Sequence, residues 1–283
     1  MKSKWLLDDY MIETSYHEDI RLILKKMGFD YHVEKYIPFV NELPPIPFTE
    51  NDCVVLYGSI GFVKQQIKYN ASRLIPGAYL QEKTMECLGY MPFMDQPELL
   101  ANHNHVFTTF KDLIYRKDFF YDIFNTNKIF IRPNCGLKTF TGLPIHVDDF
   151  NSEINSLNKL TSVIDNTLIL VSNCKSITHE YRFFIVNREV VTGSQYKLND
   201  ELNIQKGYSD EAYQVAKQMA LNKWQPDIAY ACDVGIVNGI PKIIELNSFS
   251  CSGFYACDIM NLINAIDHVA VMEYNGDMSI GDI

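Results

Sequence analysis

No stretch of this sequence runs for roughly 18 uncharged apolar residues, so no transmembrane helix is expected. The opening "MKSKWLLDDYMIETSYHED" meets acids early and holds no long apolar core, which argues against a secretory signal peptide. None of the seven cysteines is spaced as CxxC. The nearest pair, Cys251 and Cys257, has no histidine or second pair beside it, so a zinc site is not expected. These thiols read as reduced, small apolar residues in a cytoplasmic protein. GxSxG, Walker A and GxGxxG patterns are all missing, which sets aside the common serine-hydrolase, P-loop and Rossmann readings. There is no internal repeat and no low-complexity tract.

What remains is a chain of 283 residues that is 47% hydrophobic, enough for one large or two ordinary domains. Its net charge of −10 argues against a broad nucleic-acid surface, but it leaves room for a local pocket of arginine and lysine.

Local patterns divide the chain. Ile20, Ile23, Leu24 and Met27 recur at helical spacing and Gly28 supplies a stop. "CVVLYGSIGFVKQQIKYN" reads as strand, turn and helix, with Gly58 and Gly61 shaping the turn and not a phosphate loop. Residues 79–127 are aromatic-rich with mixed helical patterns, and the lone His103-x-His105 reads as structural or surface. Strands follow: "KIFIRP", "NTLILVSNC", and "EYRFFIVNREVVTGSQYK" folded about Asn187-Arg188-Glu189. A helix capped by Ser209, with Asp210 and Glu211 in its first turn, buries Ala212, Val215, Ala216 and Met219. A last helix is expected within "ACDIMNLINAIDHVAVMEY".

The stretch "ACDVGIVNGIPKIIELNSFSCSGFY" sets the main question. Asn238-Gly239 between apolar runs signals a hairpin, yet Asp233, Glu245 and Asn247 lie in its arms. A two-residue turn would set Asp233 opposite Ile244 and put the two acids on opposite faces. A three-residue loop, Val237-Asn238-Gly239, would set Asp233 opposite Ile243 and gather Asp233, Glu245 and Asn247 on one face. The sequence permits both. Only the second makes a cluster of hard oxygen ligands suited to Mg²⁺.

Upstream, Arg132, Lys138, Arg182 and Lys197 fall in or just after strands, near turns holding Gly136, Gly142 and Gly193. Cations so placed suit a polyphosphate. In this order, from about 128 to 258, the motifs resemble an ATP-grasp domain, in particular the clade with one arginine and two lysines in its nucleotide site.

The resemblance implies an α+β fold in which two α+β subdomains grip ATP, preceded by a small α/β domain. The implied division is 1–100 for the N-terminal domain and 101–283 for the ATP-grasp domain, the latter split into 101–167 and 168–283. It also implies roles. Arg132 would meet the α-phosphate, Lys138 would be the cation of the mobile loop "NCGLKTFTG", and the backbone of Leu170, Val171 and Ser172 would meet adenine. Glu180 would hold ribose or a neighbouring cation, and Arg182 would meet phosphate or the acyl intermediate. Asp233, Glu245 and Asn247 would bind Mg²⁺, two ions being expected. Lys197 is the second lysine by position, with Lys64 and Lys117 as rivals.

The activity implied is an ADP-forming ligase that joins a small-molecule or peptide carboxylate to an amine through an acyl phosphate, with Arg182 and Lys138 catalytic. A phosphotransferase acting on a hydroxyl, or a non-catalytic nucleotide-binding module, are the alternatives. Ser250, Ser252 and Gly253 would either orient the incoming carboxylate or shape a tight turn.

Overall fold

A computed structural model describes residues 1–11, 19–40, 43, 45–136 and 139–279. The chain divides into two compact units, one joining 1–81 to 178–283 and the other spanning 82–177.

The first unit opens with β1 (Lys4–Asp8), α1 (Ile20–Met27), β2 (Tyr31–Glu34), β3 (Cys53–Tyr57), α2 (Ile60–Asn70) and β4 (Ile75–Gly77). The four strands form a parallel sheet in the order β2-β1-β3-β4. β3 is buried along its whole length, as a parallel strand covered on both faces should be. Asp19 caps α1, and Gly28 closes it in the left-handed conformation at φ +72°. The strand–turn–helix expected at 53–70 is present, with Ser59 capping α2. Gly58 is needed for close packing: a Cβ there would lie 2.4 Å from that of Asp8 and 2.6 Å from the Phe62 ring.

The second unit holds α3 (Cys87–Tyr90), β5 (His105–Thr109), α4 (Phe110–Tyr115), α5 (Lys117–Ile123), β6 (Lys128–Pro133), β7 (Leu143–His146), α6 (Phe150–Leu160) and β8 (Leu168–Asn173). Its sheet is antiparallel in the order β5-β8-β6-β7. One core, including Phe110, Phe120, Ile131, Phe150 and Val171, fills its buried side. His103 and His105 turn ring nitrogens onto the carbonyls of Leu100 and Asn102, at 3.2 and 2.8 Å.

The chain then returns to the first unit as β9 (Ile177–Val186), β10 (Glu189–Leu198), β11 (Glu201–Lys206), α7 (Asp210–Ala220), β12 (Ala229–Val237), β13 (Ile240–Ser248) and α8 (Ile259–Asn275). The sheet order is β11-β10-β9-β12-β13. Ser209 caps α7 as expected, its hydroxyl accepting from the Ala212 amide at 3.2 Å. Phe184, Phe249, Phe254 and the inner face of α8 share a core with Trp5, Val55 and Tyr57. That shared core welds the N-terminal parallel sheet to the C-terminal antiparallel one. Among the described residues, no helix is long and apolar enough to cross a membrane.

Candidate active site

The hairpin of β12 and β13 answers the question its sequence posed. Val237 pairs with Ile240, so the loop is the two-residue turn, with Asn238 at φ +50° and Gly239 at φ +81°. The three-residue loop is not formed. Yet Asp233 pairs with Glu245 and Val234 with Ile243, which leaves Ile244 as an extra residue in β13. This β-bulge shifts the register by one, and the two acids face each other from one side of the sheet. Asn247 lies two residues beyond Glu245 on the same side. Its amide nitrogen donates to Glu245 Oε1 at 3.0 Å and to Asp233 Oδ2 at 3.2 Å.

A second bulge builds the other half of the site. On β9 and β10, Tyr181 pairs with Gln195 and Glu180 with Lys197, leaving Tyr196 as the extra residue. Two consecutive residues thereby reach one carboxylate. The Tyr196 hydroxyl donates to Glu180 Oε2 at 2.5 Å, and Lys197 Nζ to Glu180 Oε1 at 3.2 Å.

Arg182 joins the two halves. Its Nε and Nη2 donate to Asp233 Oδ1 and Oδ2 at 2.8 and 2.7 Å, a bidentate ion pair with both partners buried. Its Nη1 donates to the Gly253 carbonyl at 3.2 Å. The guanidinium carbon lies 5.0 Å from the centre of the Tyr255 ring and 5.6 Å from that of Tyr196, and the two rings stack at 4.8 Å. Burial opposes the charge on Arg182, but Asp233 outweighs it and holds the guanidinium pKa well above its ordinary value. Burial also raises the Asp233 carboxyl, while Arg182 pulls it down and Glu245 and Glu180 push it up. The geometry is that of an ion pair surrounded by further acids.

A family model, the ATP-grasp domain of R2K clade family 2, matches residues 114–265. The chain belongs to the R2K clade of ATP-grasp domains. Solved structures share the fold. D-cycloserine synthetase DcsG is 12% identical with a TM-score of 0.60, over 94% of this chain and 99% of that one. D-alanine–D-alanine ligase from Bacillus anthracis complexed with ATP is 11% identical with a TM-score of 0.55, over 98% and 100%. The ATP-grasp ligase PsnB, complexed with a phosphomimetic variant of its minimal precursor, Mg and ADP, is 10% identical with a TM-score of 0.55, over 96% and 99%. No curated protein matches the sequence.

Within this ATP-grasp chain, the expected residues fall as follows. Glu180, Arg182, Lys197, Asp233, Glu245 and Asn247 come together in the first unit. Arg132 lies on β6 of the second unit opposite Leu170 of β8, and Gly142 lets the following loop lie against it, since a Cβ would stand 3.2 Å from that of Arg132. Lys138 lies outside the described residues. Leu170, Val171 and Ser172 are paired on one side with β5 and on the other with β6. Their backbone pairs within the sheet on both sides, Asn173 pairs with β6 alone, and the chain leaves the sheet after it. There Lys175, which the sequence reading passed over, donates to Asn173 Oδ1 at 2.5 Å, and burial lowers its pKa. Of the rival lysines, Lys117 stands over the Phe150 ring and Lys64 lies on α2.

Ser250 and Ser252 are buried and bonded within the turn. Ser250 Oγ accepts from the Tyr79 amide at 3.0 Å, and Ser252 Oγ donates to the Ser248 carbonyl at 2.6 Å. Of the two roles open to these serines, the geometry favours bracing the turn. Tyr57 adds to it, its hydroxyl donating to the Ser252 carbonyl at 3.0 Å and its ring stacking on Phe254 at 4.4 Å. Tyr196 and Tyr255 escaped the sequence reading because nothing in residue spacing reveals a bulge or the positive φ of Tyr255, +50°.

The donors at the hairpin fit a hard cation. Among the described residues, no three His, Cys, Asp or Glu side chains gather as a metal cage. Two carboxylates, one of them shared with Arg182, instead make a sparse oxygen set, the kind Mg²⁺ completes with water and phosphate, and the Asn247 amide would add its oxygen by turning over. The Asn247 amide hydrogens, directed at both acids, mark where positive charge is wanted.

Proposed function

We propose that this chain is an ATP-dependent, ADP-forming carboxylate–amine ligase that works through an acyl phosphate. The observation that carries the reading is the convergence of Asp233, Glu245 and Asn247 beside an Arg182 already locked to Asp233. Membership of the ATP-grasp family supports it. So do the ligase, ATP and Mg–ADP named for structural neighbours.

In this reading, a substrate carboxylate oxygen attacks the γ-phosphorus of ATP and ADP leaves. An amine then attacks the acyl carbon, loses a proton and expels inorganic phosphate. Arg182 lies against the transferring group, and its fixed orientation means little reorganisation as charge moves. Lys197 would leave Glu180 for a phosphate oxygen, with Lys138 and Arg132 as the other phosphate cations. Asp233, Glu245 and Asn247 would hold Mg²⁺, with two ions proposed. The bound metal would supply Lewis-acid neutralisation of phosphate charge. The seven free cysteines and the acidic balance accord with a cytoplasmic enzyme acting on small molecules or peptides.

The test is ADP release with Mg-ATP across a panel of carboxylates paired with amines, with phosphate followed separately. A ligase frees inorganic phosphate in step with ADP. Phosphate retained on an organic product would make the protein a phosphotransferase instead.

A further inference from the structure

Glu180 is held from two sides, by a buried tyrosine and by a lysine able to leave. Regular pairing would send Tyr196 and Lys197 to opposite faces of β10. The bulge removes that alternation, and both side chains end on the two oxygens of one buried carboxylate. Their situations differ. Tyr196 is buried, its ring stacked on Tyr255 and in contact with the Arg182 guanidinium, which meets both rings. Lys197 has a side chain that is 38% exposed and makes the longer bond.

We propose that Tyr196 is a positioning residue for nucleotide binding: its hydroxyl fixes Glu180 in place while Lys197 exchanges that carboxylate for a phosphate oxygen of ATP. Without the tyrosine hydroxyl, Glu180 would be tethered only by the lysine that must depart. It would follow the ammonium or be left buried and unpaired, and an unpaired buried carboxylate is costly. With it, Glu180 keeps one charge-assisted partner throughout and can accept a hydrogen bond from the nucleotide. The bulge at Tyr196 thus separates the fixed partner from the mobile one. This inference rests on the reading of Glu180 and Lys197 as nucleotide-site residues.

The test measures binding of a non-hydrolysable ATP analogue with Mg²⁺ by calorimetry, beside urea denaturation and steady-state kinetics. Tyr196→Phe keeps the ring, its stack and its contact with Arg182, and removes only the hydroxyl. The expected result is a loss of analogue affinity of roughly tenfold, the size of one charge-assisted hydrogen bond. It should appear as a raised KM for ATP with kcat changed much less. Glu180→Gln should weaken binding at least as much, and adding Tyr196→Phe to it should cost little more, because the two act as a unit. Wild-type analogue affinity in Tyr196→Phe, with Glu180→Gln impaired, would overturn the role of Tyr196 alone. Unimpaired binding in Glu180→Gln would overturn the assignment of Glu180 to the nucleotide site, and the inference with it. A lowered urea midpoint with unchanged affinity would reduce Tyr196 to a structural residue.

Discussion

Asp233 and Glu245 face each other directly across a hairpin whose two-residue turn, counted back residue by residue, would have set Asp233 against Ile244. One extra residue in β13 undoes that parity. Two acids so placed repel unless positive charge is close, and Asn247 and Arg182 supply part of it. Removing Glu245 leaves the Arg182–Asp233 pair intact, so Glu245→Ala should keep the fold. ADP formation should fall by at least about a hundredfold, as when one preorganised electrostatic group is lost. The stabilisation of the protein by Mg²⁺ in a thermal melt should vanish as well. ADP release at the wild-type rate would remove the metal role from Glu245.

Arg182 carries both stability and chemistry, and two variants separate them. Arg182→Ala strands the buried carboxylate of Asp233 and should cost about 3–5 kcal/mol in urea unfolding. Replacing both partners with apolar residues, Arg182→Met with Asp233→Leu, should recover much of that stability because no unpaired charge remains. Activity should stay absent in the double variant. A double variant as unstable as Arg182→Ala would mean that the surrounding polar groups, Tyr196, Glu180 and the Gly253 carbonyl, depend on the pair.

Much of this was legible beforehand, and the rest was hidden for a physical reason. The α7 cap at Ser209, the stop at Gly28 and the strand–turn–helix at 53–70 are local signals, and they appear where local chemistry places them. The order of cations and acids identified the ATP-grasp fold. Register was not legible, because a bulge adds a residue without a sequence mark. The convergence at Asp233 was therefore expected through a loop that does not form, and Tyr196 passed unnoticed. Backbone pairing was equally hidden: Leu170 to Ser172 read as an apolar strand, but only topology shows β8 paired on both sides.

Asp227 makes stability depend on pH in an unusual direction. Its carboxyl lies buried just before β12, and burial pushes its pKa from 3.8 to about 8. The amides of Ile228 and Gln81 pull it down, and Glu273 pushes it further up. The native state therefore holds a proton that the unfolded chain has lost between about pH 4 and pH 8. Stability contributed by this group is complete below about pH 4 and is lost as pH rises towards 8. Asp227→Asn removes the ionisation while keeping an acceptor for the Ile228 amide. Its urea midpoint should exceed that of the wild type increasingly as pH rises from 5 to 8. Parallel pH profiles for the two proteins would show that Asp227 is ionised in the fold.

Gly253 offers the sharpest separation of fold from function. Its φ lies outside the left-handed region, and an added Cβ would meet no atom within 4 Å. The fold therefore gives no reason for a glycine here. Gly193 is the contrast, since a Cβ there would stand 2.4 Å from the Phe183 ring and 3.1 Å from that of Tyr208. Gly193→Ala should cost about 1–3 kcal/mol through overpacking. Gly253→Ala should leave stability within about 0.5 kcal/mol of wild type. Gly253 accepts from Arg182 through its carbonyl, so the new methyl would enter open space on the residue that holds the group proposed to steady the acyl phosphate. If the carboxylate substrate approaches the backbone at this point, Gly253→Ala should raise the KM for that substrate while the KM for ATP stays near wild type. An unchanged KM for the carboxylate would show that the substrate passes elsewhere, and the turn at 250–253 would then serve only to anchor Arg182.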